Sequence, residues 1–452
     1  MADIQEMFYQ VHVPELDMNF FRFLWWPGGD TSKDLEEFAM IKHIFGCVSS
    51  PGCANFALKQ CAKDHFKVSP EAAKTIEHSF YIDDCLKSVE STTEAVKLVG
   101  ELKQMCAKGG FNLTKFVSNQ PEVTANLPSC DKTESMQCTE LGGNAMVERA
   151  LGVIWDFRQD TFQFKVKAQQ KPITRRGILS ETSSLFDPLG IAAPVLIIPK
   201  LILQELCRLK LDWDDTIPLQ LQQDLLQWRS SLYNLERFRT ERCMKPDIFG
   251  RTLSSQLHCF ADASQAGYGA VVYLRQVDDQ GRIHCAFLLG KARVSPLKSV
   301  TIPRMELTAA TIAVRLFLTV KTELHSEVDS VTFWTDSTTV LRYIRNKTSR
   351  YHTYVANRVG YILENSSENQ WNYVKSGINP ADEASRGITV AKYLNESKWV
   401  GGPEFLQQPE EEWPKQPFVE DELVDDPEVK KSTVVSAITI ESRPTDKLLE
   451  HY

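Results

Sequence analysis

Four carboxylates in the stretch 251–390 have types and positions that suit metal-assisted chemistry. Asp262 closes a strand pattern, Leu257-His258-Cys259-Phe260-Ala261-Asp262, on the face it shares with His258 and Phe260. Asp336 closes another, Val331 to Thr335. Glu306 falls in the first turns of a helix opened near Pro303, where proline suits the first turn. Asp382 falls just inside a helix begun by Pro380. Acids at strand ends and helix starts on neighbouring elements can converge on one point. Converged carboxylates repel unless cations hold them, and their oxygens are natural ligands of hard divalent ions. Two Mg2+ ions about 4 Å apart, or Mn2+ in their place, would activate a water and stabilise the leaving oxygen of a phosphodiester. Taken singly, each acid has a plainer use as a cap or a surface charge. Asp262 before Ala263-Ser264 and Asp336 before Ser337-Thr338 equally suit simple N-caps.

A second set of acids lies upstream. Phe80-Tyr81-Ile82-Asp83-Asp84 stands between apolar patterns, where paired acids in a hairpin turn need carry no chemistry.

The elements that must position these residues fall into four textures. Residues 1–118 mix short aromatic-rich strands with helical patterns, and 119–250 hold a polar, turn-rich stretch followed by two helical ones, Pro199 to Lys210 and Pro218 to Leu235. From Leu257 hairpinned strands appear, with turns placed at Gly267-Tyr268-Gly269 and at Asp278-Asp279-Gln280-Gly281. Helices are expected from Pro303, over Thr338–Arg345 and over Thr353–Leu363, with strands at Val331–Thr335 and Trp371–Val374. Three hairpinned strands followed by alternating helices and strands read as an α/β (α+β) domain over 251–395. Residues 396–452 read as an acidic, disordered tail.

The chain carries a net charge of −8, which by itself argues against a nucleic-acid partner. Residues 409–428 hold nine acids against Lys415 alone, so the rest of the chain is neutral and free to carry a basic face. One candidate face follows Asp336: Arg342, Arg345, Lys347, Arg350 and Arg358, interleaved with Tyr343, Tyr351 and Tyr354. Phosphate pairing with stacking is one reading, and a solvated helix face is the other. The eleven cysteines are scattered singly without zinc spacing, which suits reduced thiols. No apolar run approaches the ~20 residues of a membrane span. The N-terminus lacks a signal-peptide pattern, so the cytoplasm is the default compartment, with the nucleus left open.

The words around the acids narrow the reading. Phe260-Ala261-Asp262-Ala263-Ser264, Pro303-Arg304-Met305-Glu306-Leu307, Trp334-Thr335-Asp336-Ser337 and Asn379-Pro380-Ala381-Asp382-Glu383-Ala384-Ser385-Arg386-Gly387 resemble, in order, the acid-bearing motifs of a BEL/Pao-type retrotransposon ribonuclease H. Lys291 to Lys298 and Phe186-Asp187-Pro188-Leu189-Gly190 resemble the same family. The resemblance implies a mixed sheet flanked by helices, and cleavage of the RNA strand of an RNA–DNA hybrid to leave a 3′-hydroxyl and a 5′-phosphate. It departs in one place. The loop Val374 to Pro380 has no histidine where many ribonucleases H carry one, which bears on rate more than on reaction.

Upstream, Ala2 to Phe8, Phe45 to Pro51, Phe80 to Asp84, Gly109 to Lys115 and Leu151 to Trp155 resemble successive motifs of a reverse transcriptase. This implies a metal site at Asp3, Asp83 and Asp84, an aromatic gate at Phe8, and template or nucleotide contacts at Phe45 and Gly46. The implied order is a palm lacking fingers (1–118), thumb and connection (119–250), ribonuclease H (251–395) and tail (396–452). The expectation is a nuclease acting on hybrid, joined to a polymerase that extends a template-primer with dNTPs poorly unless fingers are supplied. The alternative is a non-catalytic nucleic-acid-binding remnant.

Overall fold

A computed structural model of the 452-residue chain describes residues 1–133, 147–150, 153–166, 171–246, 248–324, 326–418 and 426–430. It forms two compact units, one of residues 1–169, 183–188 and 232–243, the other of 170–182, 189–231 and 244–452. The stretch 119–250, expected as one segment, is thus divided between them.

The first unit holds strands β1 (Ala2–Ile4), β2 (Arg22–Trp25), β3 (Glu36–Ala39), β4 (Phe80–Tyr81), β5 (Asp84–Cys85), β6 (Leu113–Thr114), β7 (Val147–Ala150), β8 (Val153–Asp156), β9 (Thr161–Gln163) and β10 (Arg239–Glu241). One sheet runs β4-β5-β1-β6 and another β10-β9-β8-β7, while β2 and β3 form a separate hairpin. Helices Ser50–Asp64, Pro70–His78 and Thr92–Lys108 contribute to a core of Ile4, Leu58, Ile76, Leu98, Leu102, Met105 and Leu113. Two of these helices start where the sequence supplies caps. Ser69 accepts from the Ala72 amide and Ser91 from the Glu94 amide, satisfying donors that a helix start leaves open. Leu151 and Gly152, part of one reverse-transcriptase-like word, lie outside the described residues.

The second unit is built on β11 (Thr252–Ala263), β12 (Gly267–Asp278), β13 (Ile283–Val294), β14 (Ser330–Thr335) and β15 (Trp371–Tyr373), in the order β13-β12-β11-β14-β15. The first three pair antiparallel, and β14 and β15 join parallel to β11 and to each other. A parallel neighbour needs a crossover, which helix Ile302–Glu323 supplies between β13 and β14. Its Ala309, Ile312, Ala313, Leu316, Phe317 and Val320 recur at helical spacing and pack on Leu257, Cys259, Ala261, Val272 and Phe333. Helices Thr338–Arg345 and Thr353–Asn365 close the same face. On the opposite face, Phe260 stacks on Trp334 beneath Phe405, and Trp413 packs against Trp334.

Two expectations change here. The β11–β12 turn is not at Gly267-Tyr268-Gly269. It closes earlier, where the Ser264 amide donates to the Gly267 carbonyl, and Gly267 and Gly269 already pair with β13. A Cβ on Gly269 would meet that of Ala384 at 2.6 Å, so this glycine lets helix Ala381–Arg386 lie close on the sheet. The described part of residues 396–452 is also folded. Trp399 and Leu406 are fully buried, and the Arg275 guanidinium donates to the Leu406 and Gln408 carbonyls. Further on, Val429 bridges to Tyr351. The acid count masked the interspersed apolar side chains, which supply burial that a solvated tail lacks. Residues 419–425 and 431–452 lie outside the described residues.

No helix among the described residues is long and apolar enough to cross a membrane. Ten cysteines there are free.

Candidate active site

Strand register brings the first two acids together. Ala261 pairs with Thr335 across the parallel β11–β14 ladder, so Asp262 and Asp336 each lie one residue beyond a matched pair. Glu306 reaches them from the second turn of helix Ile302–Glu323. The three line one pocket of about 610 Å3 together with Arg386. Asp382 stands at its side in helix Ala381–Arg386, where its Oδ1 accepts from Arg386 Nε at 2.6 Å. Among the described residues, no three acids, cysteines or histidines are drawn tightly enough to chelate an ion.

Hydroxyls hold three of these acids. Ser385 Oγ donates to Asp262 Oδ2, Ser337 Oγ donates to Glu306 Oε2 at 2.6 Å, and Ser376 Oγ donates to Asp382 Oδ1 at 3.3 Å. Ser337 is also the N-cap of helix Thr338–Arg345, accepting from the Val340 amide. The capping role considered for Asp336 therefore belongs to its neighbour, and Asp262 runs into a strand turn instead of a helix. Asn379 Nδ2 donates to the Ala261 carbonyl at 3.0 Å while its Oδ1 accepts from the Ala381 amide. That fastens the start of the Asp382 helix to the strand bearing Asp262.

Burial raises the pKa of Asp262, Asp336 and Glu306 above the ordinary carboxylate range, and neighbouring acids push the same way. Asp336 Oδ1 is buried and has no hydrogen-bond partner. An acceptor left this way is costly unless something electropositive meets it. The set is all oxygen and acidic, which suits Mg2+ or Mn2+ rather than a softer ion. The site residues therefore fit a hard divalent cation.

The proposed hybrid-binding arginines are differently placed. Arg342 is half-buried with an unpartnered Nε, Arg345 donates to the Trp371 carbonyl, and Arg350 is exposed. Tyr343 and Tyr351 are buried against each other and cannot stack on bases. Tyr354 carries Arg358 over its ring at 3.5 Å.

In the first unit, Asp3 pairs directly with Asp84 across β1 and β5. Ile82 and Asp83 form the turn of the β4–β5 hairpin, and the Ile4 amide donates to the Asp83 carbonyl. Asp3 and Asp84 thus sit side by side on the two inner strands of the sheet, and Asp83 lies next to Asp84 in the adjoining turn. Ile82 takes a positive φ of 56°, a strained backbone for a β-branched residue. Lys115 Nζ lies 3.2 Å from Asp3 Oδ1. Burial, followed by the charges of Asp83 and Asp3, raises the pKa of Asp84. Phe8 is buried under Phe45, whose ring is 4.8 Å away and largely exposed. Gly46 follows with a φ of 85°.

Sequence reasoning passed over Ser337, Ser376, Asn379, Ser385 and Arg386. Four of these five lie inside or beside words quoted for their acids, and a hydroxyl or amide next to a cluster of buried carboxylates was the available signal.

A mixed sheet with acids at the ends of adjacent parallel strands, opposed by a helix-borne Glu, defines a ribonuclease-H-like domain. Residues 174–337 match the family described as Pao retrotransposon-like RNaseH-like domain. The match spans Asp262, Glu306 and Asp336 and ends before Asp382. Among solved structures, the chain is similar to the foamy viral protease-reverse transcriptase dRH in complex with ds DNA, at 12% identity and a TM-score of 0.49. That alignment covers 83% of this chain and 56% of the other, so the chain spans little more than half of its length. RNase H1 from the halophilic archaeon Halobacterium salinarum NRC-1 aligns at 14% identity and a TM-score of 0.22, over 31% of this chain and 99% of that one. No curated protein sequence matches the chain.

Proposed function

We propose that the second unit is a metal-dependent nuclease that cuts the RNA strand of an RNA–DNA hybrid. The observation that carries this is the register that sets Asp262 and Asp336 side by side over a pocket shared with Glu306. Asp262, Glu306, Asp336 and Asp382 are the residues that would hold Mg2+ or Mn2+. When bound, such ions supply an activated water and a counter-charge for the leaving oxygen. The chain's own contribution is placement. Ser385, Ser337 and Ser376 orient carboxylate oxygens, and Asn379 locks the Asp382 helix to β11. In the reaction, water oxygen bonds to phosphorus as the bond from phosphorus to O3′ breaks. The water loses a proton to solvent and the departing O3′ gains one. Arg342, Arg345 and Arg350 are proposed to meet hybrid phosphates, with 2′-hydroxyls marking the RNA strand.

The direct pairing of Asp3 with Asp84 favours a second activity, RNA-directed DNA synthesis. Asp3, Asp83 and Asp84 would hold its metals, and Phe8, Phe45 and Gly46 would face the template-primer and the dNTP.

The test is incubation of an end-labelled RNA–DNA hybrid with purified protein and Mg2+, beside Asp336→Asn. Cutting confined to the hybrid's RNA strand, and lost in the variant, supports the nuclease. A folded wild type that binds hybrid and leaves it intact overturns it in favour of a binding remnant. Primer extension on an RNA template, with Asp83→Asn as control, tests the second activity separately.

A further inference from the structure

We propose that Arg386 is a catalytic residue of this nuclease, presenting its two free guanidinium nitrogens to the non-bridging oxygens of the scissile phosphate. The inference rests on the nuclease reading and adds a residue to it. Among the described residues that line the acid pocket, Arg386 is the one cation, facing Asp262, Glu306 and Asp336. Its Nε is engaged with Asp382 Oδ1, and Nη1 and Nη2 donate to no described residue. A guanidinium anchored at one edge and open at the other is a preorganised phosphate fork. Its side chain keeps 60% of its exposure, so the open edge is reachable by a polyanion.

The surroundings make this placement specific. Arg386 is the last residue of helix Ala381–Arg386, and Gly387 follows with a φ of 81°, ending the helix and turning the chain away. A Cβ on Gly387 would press on Ile197 Cγ2 at 2.9 Å, so the backbone below the arginine is seated on helix Ala193–Arg208. The carboxylates leave the pocket strongly negative, which repels a phosphodiester as firmly as it attracts metal. A fixed cation at the rim offsets that repulsion and stabilises charge building on the phosphorane-like oxygens. The loop Val374 to Pro380 supplies no histidine to the rim.

A purely structural arginine would serve Asp382 alone, and the two roles predict opposite changes in metal binding. Removing a phosphate-facing cation frees Asp382 and lowers the positive charge, so metal binds better. Removing a mere positioner leaves Asp382 astray, so metal binds worse. The experiment compares wild type, Arg386→Ala, Arg386→Lys and Asp336→Asn by Mg2+ calorimetry without nucleic acid and by single-turnover cleavage of a labelled hybrid. The expected result for Arg386→Ala is Mg2+ affinity raised about fivefold and cleavage slowed about 100-fold, with Arg386→Lys intermediate in rate. Cleavage by Arg386→Ala within about threefold of wild type, or Mg2+ affinity falling along with rate, overturns the proposal while wild-type cutting keeps the nuclease standing. A wild type that cuts no faster than Asp336→Asn overturns both.

Discussion

Glu428 grips Arg304 through two hydrogen bonds, Nε to Oε1 at 2.6 Å and Nη2 to Oε2 at 3.0 Å, although 124 residues separate them. Arg304 stands two residues before Glu306, so this contact fastens the described 426–430 segment to the start of the helix that carries a site acid. Glu428 is buried while Arg304 keeps part of its exposure. Tyr343 adds a hydrogen bond to Asp426, and the His352 amide donates to the Glu428 carbonyl. Glu428→Ala is expected to cost about 1–3 kcal/mol in urea unfolding and to speed proteolysis near residue 426. Unchanged stability and cutting would show the contact to be idle.

Ser385 is buried and donates to Asp262. Ser385→Ala leaves that buried carboxylate short of a donor, for a stability loss of about 1–3 kcal/mol. Asp262→Asn removes charge from a crowded site and is expected to leave metal-free stability unchanged or higher, while abolishing cleavage. A double-mutant cycle in urea checks whether the two changes are coupled. Simple additivity would mean that the serine acts on something else.

Acid stability offers an independent probe at Asp278. Burial alone would raise its pKa, but the Gly250, Arg282 and Gln280 amides and the Arg282 side chain all donate to it and outweigh that, bringing it down to about 2. A depressed carboxylate contributes stability that is complete above its unfolded value of 3.8 and is lost as pH falls toward 2. Wild type is therefore expected to lose stability progressively between those limits, and Asp278→Asn to flatten the slope. Parallel curves for both proteins would refute the assignment.

Gly190 ends the Phe186-Asp187-Pro188-Leu189-Gly190 word with a φ of 75°, and a Cβ there would sit 1.9 Å from the Gly290 carbonyl oxygen. Its own carbonyl accepts from the buried Trp399 indole at 2.8 Å. Gly190→Ala combines backbone strain with a backbone collision, for an expected loss of about 3 kcal/mol or more. Thermal unfolding measures it, and a shift of only a degree or two would show the contact to be easily relieved.

The sequence was most informative where period and face coincide. The alternation ending at Asp262 placed that acid opposite the Cys259–Ala261 face, and the helix from Pro303 and the strand before Asp336 lie where their apolar spacing put them. It was least informative where a residue's use depends on what crosses it from far away. Gly267 and Gly269 read as a turn because glycine is common in turns, yet Gly269 is small for the sake of Ala384, more than a hundred residues on. Tyr343 and Tyr351 looked available for stacking, but their burial depends on each other and on Asp426. Trp399, Phe405 and Trp413 were hidden among acids, although they cover the sheet. Arg386 shares a word with Asp382, and only the pocket distinguishes it from a surface charge.

The pairing of Ala261 with Thr335 makes the acid site a vernier on its own sheet. Sliding either strand by one position reverses which side chains look inward, so an insertion or deletion of a single codon there would send one acid to the far face. The apolar side chains of that strand, Leu257, Cys259 and Ala261 or Phe333, would turn with it, so such a change is expected to cost the fold along with the chemistry.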